Sequence, residues 1–415
     1  MRWVGAAAAG VLLMNAGLIL LWSGPDPSTV QPAAQDDLGG QGGTGAGTGA
    51  SAQREPGHDS TDAAGPTGND ATSVTSAGGG APTLAELYAS HGLQVPGGPA
   101  QRAGCPPPPA TGGNGGGGGG WTPPVTVPEA DLPAPAPAST WSPASDPSAG
   151  KGMWIWQYGK TESSDYDAIV AQAVAAELDH VWLRVGDSRD GFYAQRHLDV
   201  LVPAFHAAGI DVIGWGFPFL HDPMGDVAWS LAAVEWRSPE GDGLDGFSPD
   251  IETSTEGVKL TADRVEVYLS HLRAAVGELP ILATVYPPVD WVWESDYPYE
   301  RMVDHIDTFV PMDYWSCGEP GYMVRQSLQR LSDLRPVHVI GQAFANCCAG
   351  RREDPSAEET LRFFDVAVRE GAVGASLWVW QDITSQAWDA MARYPWHAAT
   401  RSHAAWPTTP DYAAD

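Results

Sequence analysis

Residues 245–286 read DGFSPDIETSTEGVKLTADRVEVYLSHLRAAVGELPILATVY. The piece opens on a short apolar run, Gly246–Glu252, and closes on another, Ile281–Tyr286, each of strand length. Between them Val265, Leu269, Leu272 and Val276 recur at the spacing that lines one face of a helix. Strand, helix and strand in so few residues is the pattern of a parallel βαβ unit. The same texture extends in both directions. Strand-like runs fall at Met153–Gln157, His180–Val185 and Asp211–Phe217 before this piece, and at Thr308–Tyr314, Val337–Phe344 and Gly374–Trp380 after it. Amphipathic stretches separate them, such as Tyr166, Ile169, Val170, Ala173 and Val174, or Leu361, Phe364, Ala367 and Val368. Eight such repeats over roughly 250 residues predict an α/β fold, a (β/α)8 TIM barrel spanning residues 151–400. An open doubly wound sheet is the rival, but no Gly-rich phosphate loop follows the first strand.

Upstream of residue 151 the composition changes. Arg2 precedes an apolar run from Trp3 to Trp22, long enough to cross a bilayer as a helix. Leu20, Leu21 and Trp22 stand where a signal peptidase requires small residues, so residues 1–23 are expected to be an uncleaved signal anchor with the rest of the chain exported; a cleaved signal and secretion is the alternative. Residues 24–150 are rich in Gly, Pro, Ala, Ser and Thr, with an unbroken glycine run at 115–120, and predict a disordered linker. One island at 83–93 predicts a short helix: Thr83 precedes Glu86 by three residues, and Leu84, Leu87 and Tyr88 share a face. It is expected either to form transiently or to dock on the barrel. Residues 401–415 are expected to be a flexible tail.

The chain of 415 residues carries a formal charge of −29, and no basic stripe offsets it, which argues against nucleic acid as a partner. The four cysteines, Cys105, Cys317, Cys347 and Cys348, suit an oxidising compartment. They allow three pairings; a bridge between the loop of Cys317 and that of Cys347-Cys348 is expected. No ligand set for a metal is apparent, and no cofactor is expected. The sequence also lacks the clustered His and Asp of a metal-dependent deacetylase and the elbow of a nucleophilic serine enzyme.

Barrel enzymes place their reacting groups where strands end and loops begin. Those positions hold Trp156, Arg184, Asp187, Trp215, Asp250, Glu252, Tyr286, Asp313, Tyr314, Gln342, Trp378 and Trp380. Carboxylates among indoles and phenols suit a carbohydrate, whose C–H faces pack on aromatic rings. Asp250 and Glu252 lie two apart on a strand, so both leave the same face. Two close carboxyls raise the proton affinity of one by repulsion, which is the division of labour that glycosidic hydrolysis requires.

The octet Asp245-Gly246-Phe247-Ser248-Pro249-Asp250-Ile251-Glu252 resembles the DGxDxDxE signature of family 18 glycoside hydrolases (chitinase-type), with Ser248 in place of the middle acid. The resemblance implies Glu252 as general acid and Asp250 as the group that orients the substrate acetamido, whose oxygen is the nucleophile. Met312-Asp313-Tyr314 is similar to the family's M-x-Y and implies that Tyr314 holds the acetamido; Trp378 resembles the family's pocket-floor Trp. The segment His206–Gly214 and the pair Trp380-Gln381 resemble stretches of family 25 lysozymes. Two departures stand out: Gly214-Trp215-Gly216 replaces the SxGG of the third chitinase strand, and Trp315 follows the M-x-Y where an acid often does. The expected catalytic residues are therefore Glu252, Asp250, Tyr314 and Asp313. The expected substrate contacts are Trp156, Asp187, Tyr286, Gln342, Trp378 and Trp380. The implied function is retaining hydrolysis of an N-acetylated cell-wall or chitin-like polysaccharide, peptidoglycan included. The alternative is a carbohydrate-binding barrel without catalysis.

Overall fold

The computed structural model describes residues 84–92, 125–137, 146–288, 297–315, 318–345 and 354–404. The expected membrane anchor, most of the linker and all four cysteines lie outside the described residues; among the described residues no helix is long and apolar enough to cross a membrane.

Eight parallel strands appear where the apolar runs predict them. They are β1 (Gly150–Ile155), β2 (His180–Asp187), β4 (Asp211–Phe217), β5 (Gly246–Ile251), β6 (Leu282–Val285), β7 (Thr308–Pro311), β8 (His338–Gln342) and β9 (Gly374–Trp378). A two-residue strand, β3 (Gly191–Phe192), folds back antiparallel on the end of β2. The hydrogen-bonded order runs β7-β6-β5-β4-β2-β1-β9-β8. Bridges Phe309↔Val337 and Met312↔Ile340 join β7 to β8 and close the ring.

The helices are α1 (Leu84–Ser90), α2 (Tyr166–Ala175), α3 (Gln195–Ala207), α4 (Pro223–Glu235), α5 (Ala262–Val276), α6 (Tyr299–Met302), α7 (Pro320–Leu331), α8 (Ala357–Glu370), α9 (Ser385–Arg393) and α10 (Trp396–Ala404). Their ends follow local chemistry. Thr261 caps α5 by accepting from Arg264 N, and Ser356 with Glu359 forms a capping box on α8. Gly371, at φ 86°, ends α8 in the left-handed conformation that glycine adopts without strain. Helix α10 continues through Ala404, past the expected start of the tail at 401, because Trp396 is buried and faces Phe364.

The barrel interior is aromatic. Trp154 and Trp182 stack at 4.4 Å, Trp215 meets Trp154 edge-on at 5.5 Å, and all three are buried. Beneath them His180 and His338 lie 5.1 Å apart, fully buried. Glycine makes the room: a Cβ on Gly152 would sit 2.0 Å from His180 Nε2. The carbonyl of Ser148 can only accept, so His338 Nδ1 donates to it at 2.9 Å; Nε2 then accepts from Ser376 Oγ, which in turn accepts from Trp154 Nε1 at 2.7 Å. Burial holds His338 near pKa 4 and therefore neutral.

The linker boundary at 150/151 is a correction. Residues 125–137 form a strap along the outside of the barrel, because they supply acceptors that a buried guanidinium requires. Arg264, 1% exposed, donates to Glu129 Oε2 at 3.0 Å, to Leu220 O and His221 O at 2.9 and 3.1 Å, and to Val127 O. Ala136 N donates to Ser270 Oγ, and Asp146 accepts from Thr308 near the other end of the barrel. Composition alone hides such a strap, since the contacts that hold it are polar groups of backbone and side chain rather than apolar side chains. Helix α1 also docks, with Tyr88 buried in the core cluster and His91 3.5 Å from Asp389.

Arg264→Met keeps the stem and removes the donors. It is expected to lower stability by roughly 2–4 kcal/mol in denaturant titration, since the charged donor leaves buried carbonyls unsatisfied. Cleavage of the 125–137 strap under limited proteolysis should accelerate in parallel. An unchanged denaturation midpoint would refute the role assigned to this side chain.

Candidate active site

Strand β5 ends at the barrel mouth, and Ser248, Asp250 and Glu252 share its inward face. Ser248 is fully buried, and its hydroxyl bonds to Leu282 O at 2.6 Å and Thr284 Oγ1 at 2.8 Å. The position of the family's middle acid is thus held by a neutral side chain tied to β6. Asp250 and Glu252 are 7% and 8% exposed. Asp250 Oδ1 is buried with no hydrogen-bond partner among the described residues. Burial pushes the Asp250 carboxyl up to about 7, with facing Arg184 pulling it down and Glu256 pushing it further up.

Tyr314 comes to the same place from the end of β7. Burial, followed by the charges of Asp250 and Glu252, keeps its hydroxyl protonated well above the ordinary phenol range. The structure therefore brings together Asp250, Glu252 and Tyr314. Trp156 and Trp378 also meet, stacked at 6.1 Å and both half-buried, and Trp378 lies edge-on to Trp215 at 5.2 Å. Gln342 pairs in register with Trp378, and Tyr286 follows β6, its carbonyl accepting from Tyr299 Oη at 2.7 Å. Both are buried.

Three expected site residues are placed elsewhere. Asp313 is fully buried and accepts from Ser327 Oγ at 2.5 Å, so it faces helix α7 rather than the mouth. Consecutive residues after a strand leave opposite faces, and Tyr314 has taken the inward one. Trp380 is 3% exposed; its Nε1 donates to Glu162 at 3.0 Å and its ring lies against Trp388. It belongs to the wall behind β9. Asp187 accepts from Arg184 Nη2 at 3.0 Å and from the backbone amides of Arg189 and Asp190 at 2.9 Å, so it shapes its own loop and anchors Arg184.

Among the described residues, Arg184 brings a cation to the mouth. It is 2% exposed, and its guanidinium lies 4.5 Å over the Trp215 ring. Two residues were not anticipated. Glu256, 8% exposed, accepts from Thr253 Oγ1 in the turn Ser254–Glu256 that follows β5. Its Thr-x-x-Glu spacing is the signal that could have marked it. Tyr297 donates to Ile251 O at 2.5 Å and lies close enough to Glu252 and Asp250 for their charges to act on its hydroxyl. No local pattern marks an aromatic residue in a loop. Among the described residues no group of three or more His, Cys, Asp or Glu is arranged to hold a metal.

No family model matches the sequence, and no curated protein does. Solved structures with similar chain traces include three enzymes. The spore cortex-lytic enzyme of Bacillus cereus has a TM-score of 0.45 at 11% identity, covering 59% of this chain and 74% of its own. The chitinase of Chromobacterium violaceum has a TM-score of 0.44 at 11% identity, covering 59% of this chain and 98% of its own. The endo-1,4-beta-mannanase of Rhizomucor miehei has a TM-score of 0.46 at 10% identity, covering 62% and 95%.

The raised Asp250 carboxyl has a thermodynamic consequence. Between its ordinary value of 3.8 and about 7 the folded chain keeps a proton that the unfolded chain has lost. This contribution to stability is complete below pH 3.8 and disappears as pH rises through 7. Asp250→Asn is therefore expected to gain thermal stability relative to the parent as pH rises from about 5 to about 8, by something on the order of 2 kcal/mol. His338 has the opposite sign: its contribution is present above 6.5 and is lost as pH falls towards 4, equally in both proteins. A parent-to-variant difference that stays flat with pH would contradict the buried, proton-holding state of Asp250.

Proposed function

We propose that the barrel is a retaining glycoside hydrolase acting on an N-acetylated glycan of the cell-wall or chitin type. The observation that carries this reading is the single inward face of β5, which presents two buried carboxyls, Asp250 and Glu252, beside the Tyr314 hydroxyl. Trp156 and Trp378 supply an aromatic wall against which a sugar ring can lie.

In the proposed reaction Glu252 gives its proton to the glycosidic oxygen as the bond to the anomeric carbon breaks. The acetamido carbonyl oxygen of the same sugar attacks that carbon and forms a cyclic oxazolinium. Asp250 accepts a hydrogen bond from the acetamido N–H, and the Tyr314 hydroxyl steadies the group. Water, losing its proton to the Glu252 carboxylate, then attacks the same carbon and reopens the ring with configuration retained. Gln342 and Tyr286 are proposed as further contacts to the glycan. No cofactor enters the scheme.

The apolar run at 3–22 and the spacer that follows support a membrane-tethered, extracytoplasmic placement. A spacer of the ~60 residues between 24 and 83, flexible by its composition, has a reach of roughly 40 Å, enough to search a wall layer near the membrane. Cell fractionation of the full chain, with and without residues 1–23, tests that placement.

A second reading has one observation in its favour. Ser248 leaves no acid beneath Asp250, as expected of a barrel that binds glycan without cleaving it. Glu252→Gln separates the two. The hydrolase is expected to lose about 10²–10⁴-fold in turnover on chitin oligomers or peptidoglycan, read as new reducing ends, while pull-down on the insoluble polymer is retained. Tyr314→Phe should cost less, about tenfold or more, because it removes one hydrogen bond to the acetamido group. Release of no reducing ends by the parent, with retained binding, would transfer the assignment to the binding reading.

A further inference from the structure

The segment before α6 carries a feature of the mouth that the scheme above leaves unused. Residues 297–299 read Tyr-Pro-Tyr. Proline restricts φ; Pro298 stands at φ −85° and ψ 54°, and Tyr299 N donates to Tyr297 O at 2.9 Å. That combination is an inverse γ-turn, a three-residue device common at strand ends. It brings the two phenol rings against each other, 4.7 Å apart. Tyr297 is buried and Tyr299 half-buried, and the Tyr299 ring meets Phe309 of β7 edge-on at 6.0 Å.

Each hydroxyl ends on a carbonyl at the top of a strand. Tyr297 Oη donates to Ile251 O at 2.5 Å, and Tyr299 Oη donates to Tyr286 O at 2.7 Å. Ile251 is the last residue of β5 and stands in register with Val285, the last of β6. Glu252 therefore lies one residue beyond the final rung of this ladder. What joins it to that rung is the rigid plane of the Ile251–Glu252 peptide, and the oxygen of that plane is the atom that Tyr297 grips. A turn of the plane swings the Cα–Cβ bond of Glu252 and changes its spacing from Asp250. The grip is firm for a simple reason: a buried phenol that let go of its acceptor would leave its hydroxyl unpaired.

We propose that Tyr297 is a positioning residue for the acid pair: its hydroxyl, aimed by the Tyr-Pro-Tyr turn, holds the Ile251–Glu252 peptide plane and thereby the direction in which Glu252 projects towards the glycosidic oxygen. Tyr299 makes the equivalent bond at the end of β6, so one turn ties two neighbouring strand ends together. The effect on turnover rests on the hydrolase reading; the grip on the peptide plane does not.

Ile251-Glu252 is the only Ile-Glu pair in the chain. Full chain made with carbonyl-13C isoleucine and 15N glutamate therefore gives a carbonyl–amide NMR cross-peak that belongs to this peptide. Tyr297→Phe keeps the ring and removes the hydroxyl. Its cross-peak is expected to move upfield in carbon, as a carbonyl that loses a donor does, and to shift at the Glu252 amide. On chitin oligomers or peptidoglycan its kcat should fall about 10–100-fold at nearly unchanged KM, because the glycan still binds while its proton donor is misdirected. Tyr268→Phe controls for lost stability. It also removes a buried hydroxyl, one paired with Ser230 Oγ at 2.9 Å between α4 and α5, and should melt lower while keeping the parental kcat and cross-peak. An unmoved cross-peak in Tyr297→Phe, or a parental kcat in that variant, overturns the proposal. A parent that releases no reducing ends overturns the hydrolase reading alone. The proposal is then decided by the cross-peak together with retention on insoluble chitin, which Tyr297→Phe should weaken and Tyr268→Phe should not; equal retention overturns it.

Discussion

Every second residue of a parallel strand points into the barrel, and the space inside eight strands admits only a few side chains per layer. The rest of this structure follows from that limit. Trp154, Trp182 and Trp215 take up most of the middle of the barrel, and the glycines of β1 and β9 yield what remains to a pair of histidines. The chain from Trp154 through Ser376 and His338 to Ser148 gives each of these mid-depth polar groups a partner of fixed direction. Above the indoles lies a layer of polar groups. That layer holds Asp250, Glu252, Tyr314 and Arg184.

The same indoles act on the charges they support. A carboxylate resting above a dry aromatic floor loses the water that would otherwise stabilise its ionised form. A guanidinium tolerates such a floor better, because its flat face lies against a ring, as Arg184 does on Trp215. The mouth therefore combines one cation that aromatic packing accommodates with acids that it disfavours. Asp250, one of whose oxygens is buried without a hydrogen-bond partner among the described residues, is pushed up chiefly by burial.

Periodicity exposed the eight strands because each is an apolar run bounded by polar turns, and the βαβ spacing leaves few other ways to order them. The pair Asp250 and Glu252 was legible for the same reason, since alternate residues of a strand are bound to share a face. Legibility ended where the strand ended. Asp313 and Tyr314 are adjacent, and only the backbone path after β7 decides which of them faces inward. Trp380 sits in a helical turn whose direction the indole pattern does not encode. Arg184 and Trp215 occupied strand-end positions in the sequence, yet their partnership depends on β2 and β4 being neighbours in space. Glu256 was hidden by a loop, and the strap by its composition, which is that of a spacer.

That strap alters where the domain begins. Arg264 draws its acceptors from both sides of residue 150, and the turn bearing Glu256 is linked through His221 to Thr126. A fragment trimmed to the first strand would lose the buried Tyr88 and, besides it, the outer rail of one of the barrel's loops. The extent of the folded unit is therefore set by wiring as well as by greasiness, and it reaches upstream of the first strand.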